Sequence, residues 1–178
     1  DTAAFASKVE RAKEQVALLA LPQRRLEPGA YRAYFSPVAV SDLLGTLGWG
    51  GFSHKAVMTG TSSLIQMHQG AAQLHASVTL TEATSDGIAP LFQNDGFVKP
   101  DATPLVAEGR ISGTLVSPRT AREYGLQPTG VGSWEGPDAL RMAPGTLAEA
   151  DVLKTLGTGV YLSNLHYLNY SDRLACRM

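Results

Sequence analysis

The sequence predicts an α+β fold in which antiparallel β-sheets carry packed helices. Three observations lead to this prediction: a helical apolar stripe near the N-terminus, a helix that starts with a serine cap and a proline, and two extended runs joined by a two-residue turn. With 178 residues, of which 44% are hydrophobic and 17% charged, the chain is long enough for one sizeable core.

The first predicted helix has apolar side chains at steps of three and four residues. They are Phe5, Val9, Ala12, Val16 and Leu19. This spacing puts them on one face, which we expect to pack on a sheet, and Pro22 ends the helix. Charges of both signs on the other faces argue against a helix lying on a membrane surface.

The stretch 27–51 predicts a turn, a short strand, a capped helix and a glycine-rich exit. Residues 31–35 are rich in aromatics and read as extended. Ser36 is expected to cap a helix that begins at Pro37, where a missing N–H costs nothing. Its apolar stripe is Val40, Leu43, Leu44 and Leu47. That stripe predicts one buried face, and Gly48 marks the end of the helix.

The middle of the chain predicts a short helix and then mainly strands. The helix is expected at 62–69, closed by Gly70. Strands are expected at 76–83, 103–107 and 110–117. Because Glu108-Gly109 suits a tight turn, the last two strands should form a hairpin.

The C-terminal third predicts two helices and a strand. Ser117 and Pro118 start a helix that Gly125 ends, and 132–145 reads as an irregular loop. Thr146 and Glu149 form a predicted capping box for a helix that runs to residue 156. Val160, Leu162 and Asn164 alternate as in a strand.

Several strings resemble one family. Residues 27–31 read EPGAY, 121–130 read AREYGLQPTG, and 163–172 read SNLHYLNYSD. Together they resemble the C-terminal domain of the TldD/PmbA family over 28–173, although Val131 replaces an asparagine of the family pattern. The family is named for modulators of DNA gyrase and is treated as zinc-dependent peptidases.

The resemblance also implies how the chain is organised. We expect the fold of the TldD/PmbA C-terminal domain, with antiparallel sheets and packed helices. Residues 1–26 would be a helix that links to an N-terminal lobe outside this sequence. Residues 27–178 would be the C-terminal domain, truncated at its end.

The metal motif of the family is missing from the predicted helix. In the metal-binding branch, the resemblance implies H-E-x-x-x-H or H-E-x-x-H on this helix, which holds zinc. The matching positions here fall at about 45–50 and include Gly45, Thr46 and Trp49, none of which is a zinc ligand. We therefore expect a PmbA-like branch member with no cofactor in this chain and with zinc in its metal-binding relatives.

Other residues with reactive side chains are scattered. The histidines are His54, His68, His75 and His166. No pair has the i, i+4 spacing of a helical metal site, so we expect no metal site here. Cys176 and His166 lack an orienting acid, so we expect an ordinary core or surface cysteine and not a nucleophile.

One polar cluster near the C-terminus is a candidate peptide-binding site. It consists of Asn164, His166, Asn169 and Asp172. If the strand continues through it, Asn164 and His166 share a face and line a groove. The alternative is a hydrogen-bonded network that fixes a turn, and this is the more common use of polar residues beside a turn.

Composition narrows the possible partners and compartment. The net charge of -1 gives no reason to expect nucleic-acid binding. No apolar run approaches the ~20 residues that span a bilayer. The single cysteine excludes an internal disulfide and suits a reducing compartment, so a cytoplasmic protein is expected.

The resemblance leads to three functional hypotheses. In the first, the chain is a subunit or homologue of a TldD/PmbA-type peptidase without the zinc site. It would form a homo- or heterodimer with a relative and bind unfolded peptide by strand addition. In the second, it is a non-enzymatic binding or regulatory protein, like a gyrase modulator. In the third, its catalytic site lies outside this sequence, which the missing motif disfavours.

Overall fold

The computed structural model describes residues 2–87 and 89–178. Its α-helices are α1 (Thr2–Leu19), α2 (Pro37–Leu47), α3 (His54–Met58), α4 (Ile65–His68), α5 (Pro118–Tyr124) and α6 (Val152–Leu156). Its strands are β1 (Ala33–Phe35), β2 (Leu80–Glu82), β3 (Thr103–Ala107), β4 (Arg110–Ile111), β5 (Leu140–Met142) and β6 (Val160–Leu162). Short 3-10 turns lie at Thr84–Asp86 and Glu149–Asp151.

The chain divides into two compact units. Residues 1–31 form the first and contain α1, whose apolar residues Phe5, Val16 and Leu19 are exposed. The predicted packing of this stripe on a sheet stays a prediction. None of the helices in the described part of the chain is long and apolar enough to cross a membrane.

The second unit, residues 32–178, holds a four-stranded antiparallel sheet. The strand order is β4-β3-β2-β5, which leaves β5 at one edge. The predicted hairpin is confirmed: β3 and β4 pair across Glu108 and Gly109, whose φ angles are 48° and 77°. Positive φ at both central residues is the geometry of a two-residue hairpin turn. The α+β fold class is therefore confirmed.

The strands β1 and β6 form a separate pair, and this pair is parallel. Its register places Tyr34 beside Tyr161, whose rings lie 5.2 Å apart between centroids. The prediction of antiparallel strands is therefore confirmed for the larger sheet and is wrong for the pair of β1 and β6, which is parallel. The strand β6 ends at Leu162, so the predicted continuation to Asn164 is wrong.

The core lies between the larger sheet and the helices of the second unit. Its buried members are Leu47, Phe52, Leu64, Leu80, Leu105, Val106, Leu115 and Val131. Helix α2 contributes Leu47, with Leu44 packed against the same cluster. The apolar stripe predicted for α2 therefore buries one side of its last turn and fixes this helix against the sheet.

The predicted caps of α2 and α5 are confirmed. The Oγ of Ser36 accepts a hydrogen bond from the N–H of Ala39 at 3.3 Å. Ser117 likewise accepts from the N–H of Thr120 at 3.3 Å, and Gly125 ends α5 in the left-handed conformation. These side chains satisfy N–H groups that a helix start leaves without partners.

Two predictions for the region before α6 are wrong. The region 132–145 was predicted to be an irregular loop, but it contains the edge strand β5. The predicted capping box fails because the 3-10 turn before α6 has Ala148 at its N-cap, two residues after Thr146. The sequence signal for β5 is only three residues long, which is too short for alternation to be recognised.

The segment that leads into β5 is held by a buried carboxylate. One oxygen of Glu135 accepts hydrogen bonds from the Ser53 hydroxyl (2.6 Å) and the Lys55 N–H (2.9 Å). The other accepts from the Ser117 N–H at 2.9 Å. Because Ser53 and Ser117 are the N-caps of α3 and α5, one side chain ties together two helix starts.

The pKa of Glu135 reports the balance of these forces. Burial by itself raises this pKa, but hydrogen bonds from the hydroxyls of Ser53 and Thr120 and from the N–H groups of Ser117 and Lys55 lower it from 4.5 to about 2. The ionised form is therefore the one that the fold stabilises.

A second buried carboxylate holds the same segment from the sheet side. One oxygen of Glu82 accepts from the N–H groups of Asp138 (2.9 Å) and Ala139 (3.0 Å). Its other oxygen has no hydrogen-bond partner among the described residues. Burial raises the pKa of Glu82, and the two N–H donors oppose this only in part.

We expect Glu135→Gln to destabilise the fold at neutral pH. The amide has one oxygen where the carboxylate offers two, so buried donors lose a charged acceptor. Lowering the pKa from 4.5 to about 2 corresponds to roughly 3 kcal/mol of stability. This contribution is complete above pH 4.5 and is lost as the pH falls through about 2. Urea unfolding between pH 7 and pH 2 measures it.

Two matched variants are the controls for this prediction. Glu123→Gln removes an exposed carboxylate of α5 and should change the unfolding free energy by less than about 0.5 kcal/mol. The carboxyl of Glu82 has a raised pKa, so its ionisation makes the unmodified protein less stable as the pH rises above 4.5. Glu82→Gln cannot ionise and should abolish this loss. An acid transition unchanged by Glu135→Gln would contradict the assigned role.

We also expect Gly109→Ala to destabilise the hairpin by at least about 2 kcal/mol. Gly109 has a φ of +77°, and an added Cβ would lie 2.7 Å from the His75 carbonyl oxygen and closer still to that of Leu74. Gly70→Ala is the matched control, because its φ is +73° but nothing lies within 4 Å of the added Cβ. Thermal unfolding compares them, and equal losses would contradict the steric argument.

Candidate functional site

A cavity of about 1100 Å³ lies between α2 and β5 in the second unit. Helix α2 lines it with Val40, Ser41, Leu44 and Gly45, and the residues just after the helix contribute Gly48 and Trp49. Tyr34 and Phe35 of β1 also line it, and the segment that carries β5 forms the facing wall. A cavity of this size is large enough for a peptide segment or a small molecule.

The cavity-lining residues of α2 recur at steps of three and four residues, so they form one face of the helix. Gly45 lies on this face, and a Cβ built there would meet nothing within 4 Å. Trp49 lies just past the helix end and also lines the cavity. Thr46 does not, because it is buried and its hydroxyl donates to the Asp42 carbonyl oxygen at 3.1 Å.

The facing wall is the edge of the larger sheet. Ala139 accepts from the Ala83 N–H, and the Ala143 N–H donates to Thr79. Because backbone groups of an antiparallel strand alternate between its two sides, the N–H and C=O groups of Leu140 and Met142 point away from β2. These are the groups that pair with an added strand in peptide recognition.

The charged side chains that line the cavity are paired. Among the described residues they are Asp86, Asp138 and Arg141. Arg141 forms an ion pair with Asp86, and the Lys99 ammonium contacts Asp138 at 2.5 Å. The cavity is thus lined mainly by apolar and aromatic side chains and carries little uncompensated charge.

The segment 163–173 runs along α2. The Ser36 hydroxyl donates to the Ser163 carbonyl oxygen at 2.6 Å, and the Leu165 N–H donates to Asp42 at 3.0 Å. Further along, the Tyr170 hydroxyl donates to the Thr46 carbonyl oxygen at 2.9 Å. Burial raises the pKa of Tyr170, so its hydroxyl stays a donor.

Arg173 completes this set of contacts at the end of α2. Its guanidinium donates to the Trp49 carbonyl oxygen at 2.5 Å and lies 5.5 Å from the centre of the Tyr170 ring. A cation beside the C-terminal end of a helix is favoured by the helix dipole, and its hydrogen bond satisfies the carbonyl group of the residue that follows the C-cap.

The predicted peptide-binding residues all lie in segment 163–173. Asn164, His166, Asn169 and Asp172 are exposed, and the cavity is lined by other residues of the described chain. Asn169 accepts from the Tyr170 N–H at 2.8 Å, and Asp172 accepts from the Ala175 N–H at 3.1 Å. Their role in peptide binding stays a prediction, while these contacts match the turn-fixing alternative.

The sequence interpretation missed the residues of the facing wall. Trp134, Leu140 and Met142 line the cavity, yet all three lie in the region predicted to be an irregular loop. The approach to β5 is rich in turn residues, and the alternation of Leu140, Arg141 and Met142 is too short to indicate a strand by itself. Trp134 is exposed, which is typical of a binding residue, but its exposure can be seen only in the structure.

The positions that match the family's zinc motif do not fit zinc. Gly45 has no side chain, Thr46 is turned into the fold, and Trp49 has no metal-ligating atom. Among the described residues, no group of three or more His, Cys, Asp or Glu side chains is placed to hold a metal ion. We therefore derive no chemical step through a metal in this chain.

Comparison with solved structures shows the fold. A proposed modulator of DNA gyrase from Bacteroides thetaiotaomicron has a TM-score of 0.68 and 20% identity over 93% of this chain and 37% of its own. Another, from Thermotoga maritima, has a TM-score of 0.65 and 20% identity, and the match covers 82% of this chain and 34% of that structure's chain. TldE from Thermococcus kodakarensis has a TM-score of 0.58 and 16% identity, and the match covers 81% of this chain and 35% of the TldE chain. The chain thus spans about a third of each structure.

Comparison with sequence-family models shows the family to which the chain belongs. No curated protein matches the sequence. The family model described as the PmbA/TldA metallopeptidase C-terminal domain matches residues 28–175, which is most of the chain and contains both walls of the cavity. The chain therefore belongs to the PmbA/TldA (TldD/PmbA) metallopeptidase C-terminal domain family.

Proposed function

We propose that this chain is the peptide-binding, non-catalytic subunit or homologue of a TldD/PmbA-type peptidase. The observation that carries the proposal is the cavity between α2 and the β5 edge, where the helix face that would carry metal ligands has none. Family membership supports a link to peptide processing.

The bound peptide would add as a strand to β5. The outward N–H and C=O groups of Leu140 and Met142 recognise an extended backbone and not a particular sequence. An unfolded segment fits this requirement because its own backbone groups are free to pair. The paired charges of the cavity wall leave the recognition to backbone hydrogen bonds and apolar contact.

Catalysis would be supplied by a zinc-binding relative in a dimer. The open position at Gly45 lies on the cavity-facing side of α2, so the equivalent position of a metal-binding relative would also face its cavity. A dimer of the two chains would place bound peptide near the relative's metal. The exposed aromatic residues Trp49 and Trp134 beside α2 favour an interacting protein over one that acts alone.

The test combines metal content with peptide cleavage. The protein is assayed alone and mixed with a metal-binding TldD/PmbA relative from the same cell, using an unfolded peptide. We expect one zinc and cleavage only when the relative is present. Zinc together with cleavage by this protein alone would contradict the proposal, and peptide binding with no effect on cleavage would favour the regulatory alternative.

We expect Met142→Pro to weaken peptide binding by about fivefold or more, because proline removes one outward N–H group. The Met142 N–H points away from β2, so the pairing of β2 with β5 should survive. Met142→Ala is the matched control, since it keeps the N–H and shortens the side chain. Calorimetric titration with an unfolded peptide measures both variants, and equal affinities would contradict strand addition.

A further inference from the structure

Both tryptophans of the chain line the same cavity. They are Trp49 after α2 and Trp134 before β5, with 43% and 72% of their surface exposed. A tryptophan is a large apolar side chain with one N–H donor, and such residues are enriched where proteins bind partners. The two exposed tryptophans are therefore available to a ligand in this cavity.

The segments that carry the two rings meet at glycines. A Cβ built on Gly136 would lie 2.5 Å from Cδ1 of Trp134 and 3.8 Å from the Gly48 carbonyl oxygen. A Cβ on Gly48 would lie 3.1 Å from Cγ of Pro137. These close approaches bring the end of α2, which precedes Trp49, against the segment that follows Trp134.

The backbone beneath each ring is anchored. Arg173 donates to the carbonyl oxygen of Trp49 at 2.5 Å. Glu135, which follows Trp134, is buried and holds the starts of α3 and α5. Rings on fixed backbone lose little conformational freedom when a ligand binds, which favours affinity.

Charge identifies the occupant. The lining carboxylates of Asp86 and Asp138 already have cationic partners in Arg141 and Lys99. A charged side chain entering here would leave water without gaining a counter-charge, whereas an apolar one would gain from burial. The chemistry of the wall thus complements an uncharged, apolar group.

We propose that Trp49 and Trp134 form a subsite for one bulky apolar or aromatic side chain of an extended peptide. The inference rests on the proposed peptide binding along β5, to which it adds a preference for sequence. The backbone groups of β5 hold the peptide main chain, and the two rings select the side chain that projects between them. Unfolded segments with exposed apolar residues are thus the substrate class.

The test uses three uncharged peptides of equal length that differ at one central position: Phe, Leu or Ser. Binding to the 178-residue chain is followed by calorimetry and by tryptophan fluorescence, which reports on the cavity because both tryptophans line it. We expect the Phe and Leu peptides to bind about tenfold more tightly than the Ser peptide, with a blue shift of the emission.

Variants distinguish binding at the subsite from non-specific binding to exposed apolar side chains. Trp49→Ala and Trp134→Ala should each reduce the preference for Phe over Ser by about fivefold or more, and Trp134→Phe should keep most of it. Phe97→Ala is the control, because Phe97 is 41% exposed and is not a wall residue of the cavity. Circular dichroism checks that each variant is folded.

The outcomes distinguish this inference from the proposed function. If the three peptides bind with equal affinity, the subsite is wrong while strand addition along β5 stands. If no peptide binds, both are wrong. If the preference for Phe survives both alanine variants, the selective side chains are not the tryptophans, and the inference is overturned.

Discussion

The rest of the second unit depends on the buried carboxylate of Glu135. This group accepts from the N–H groups of Lys55 and Ser117 and from the hydroxyl groups of Ser53 and Thr120, so it replaces water for several donors at once. Its neighbours Trp134, Gly136 and Pro137 form part of the cavity wall. An ionised group in the interior is tolerated only with such partners, which makes the position of this wall a consequence of electrostatics.

The two sides of the cavity have different origins. Helix α2 is placed by its caps, by Leu47 in the core and by segment 163–173, which binds it from Ser36 to Trp49. The facing wall is placed by Glu135 and Glu82, and it ends in a sheet edge with unpaired backbone groups. The proposed peptide binding rests on the cavity between these two walls.

Local signals predicted much of the fold. Ser36-Pro37 and Ser117-Pro118 marked helix starts because capping depends on adjacent residues, and Glu108-Gly109 marked a turn for the same reason. The strand β5 and the role of Glu135 could not be predicted from local signals. The segment before β5 is held by Glu82, 56 and 57 residues away, and Glu135 is held by Ser53 and Lys55, 82 and 80 residues away. The cavity was missed with them, although the family resemblance located its α2 side.

Amide hydrogen exchange at β5 shows whether a peptide adds to this strand. The N–H groups of Leu140 and Met142 point away from β2, whereas that of Arg141 faces β2. On saturation with an unfolded peptide rich in apolar residues, and with no metal added, we expect slower exchange at 140 and 142 and little change at 141. Peptide binding that leaves the exchange of Leu140 and Met142 unchanged would contradict it.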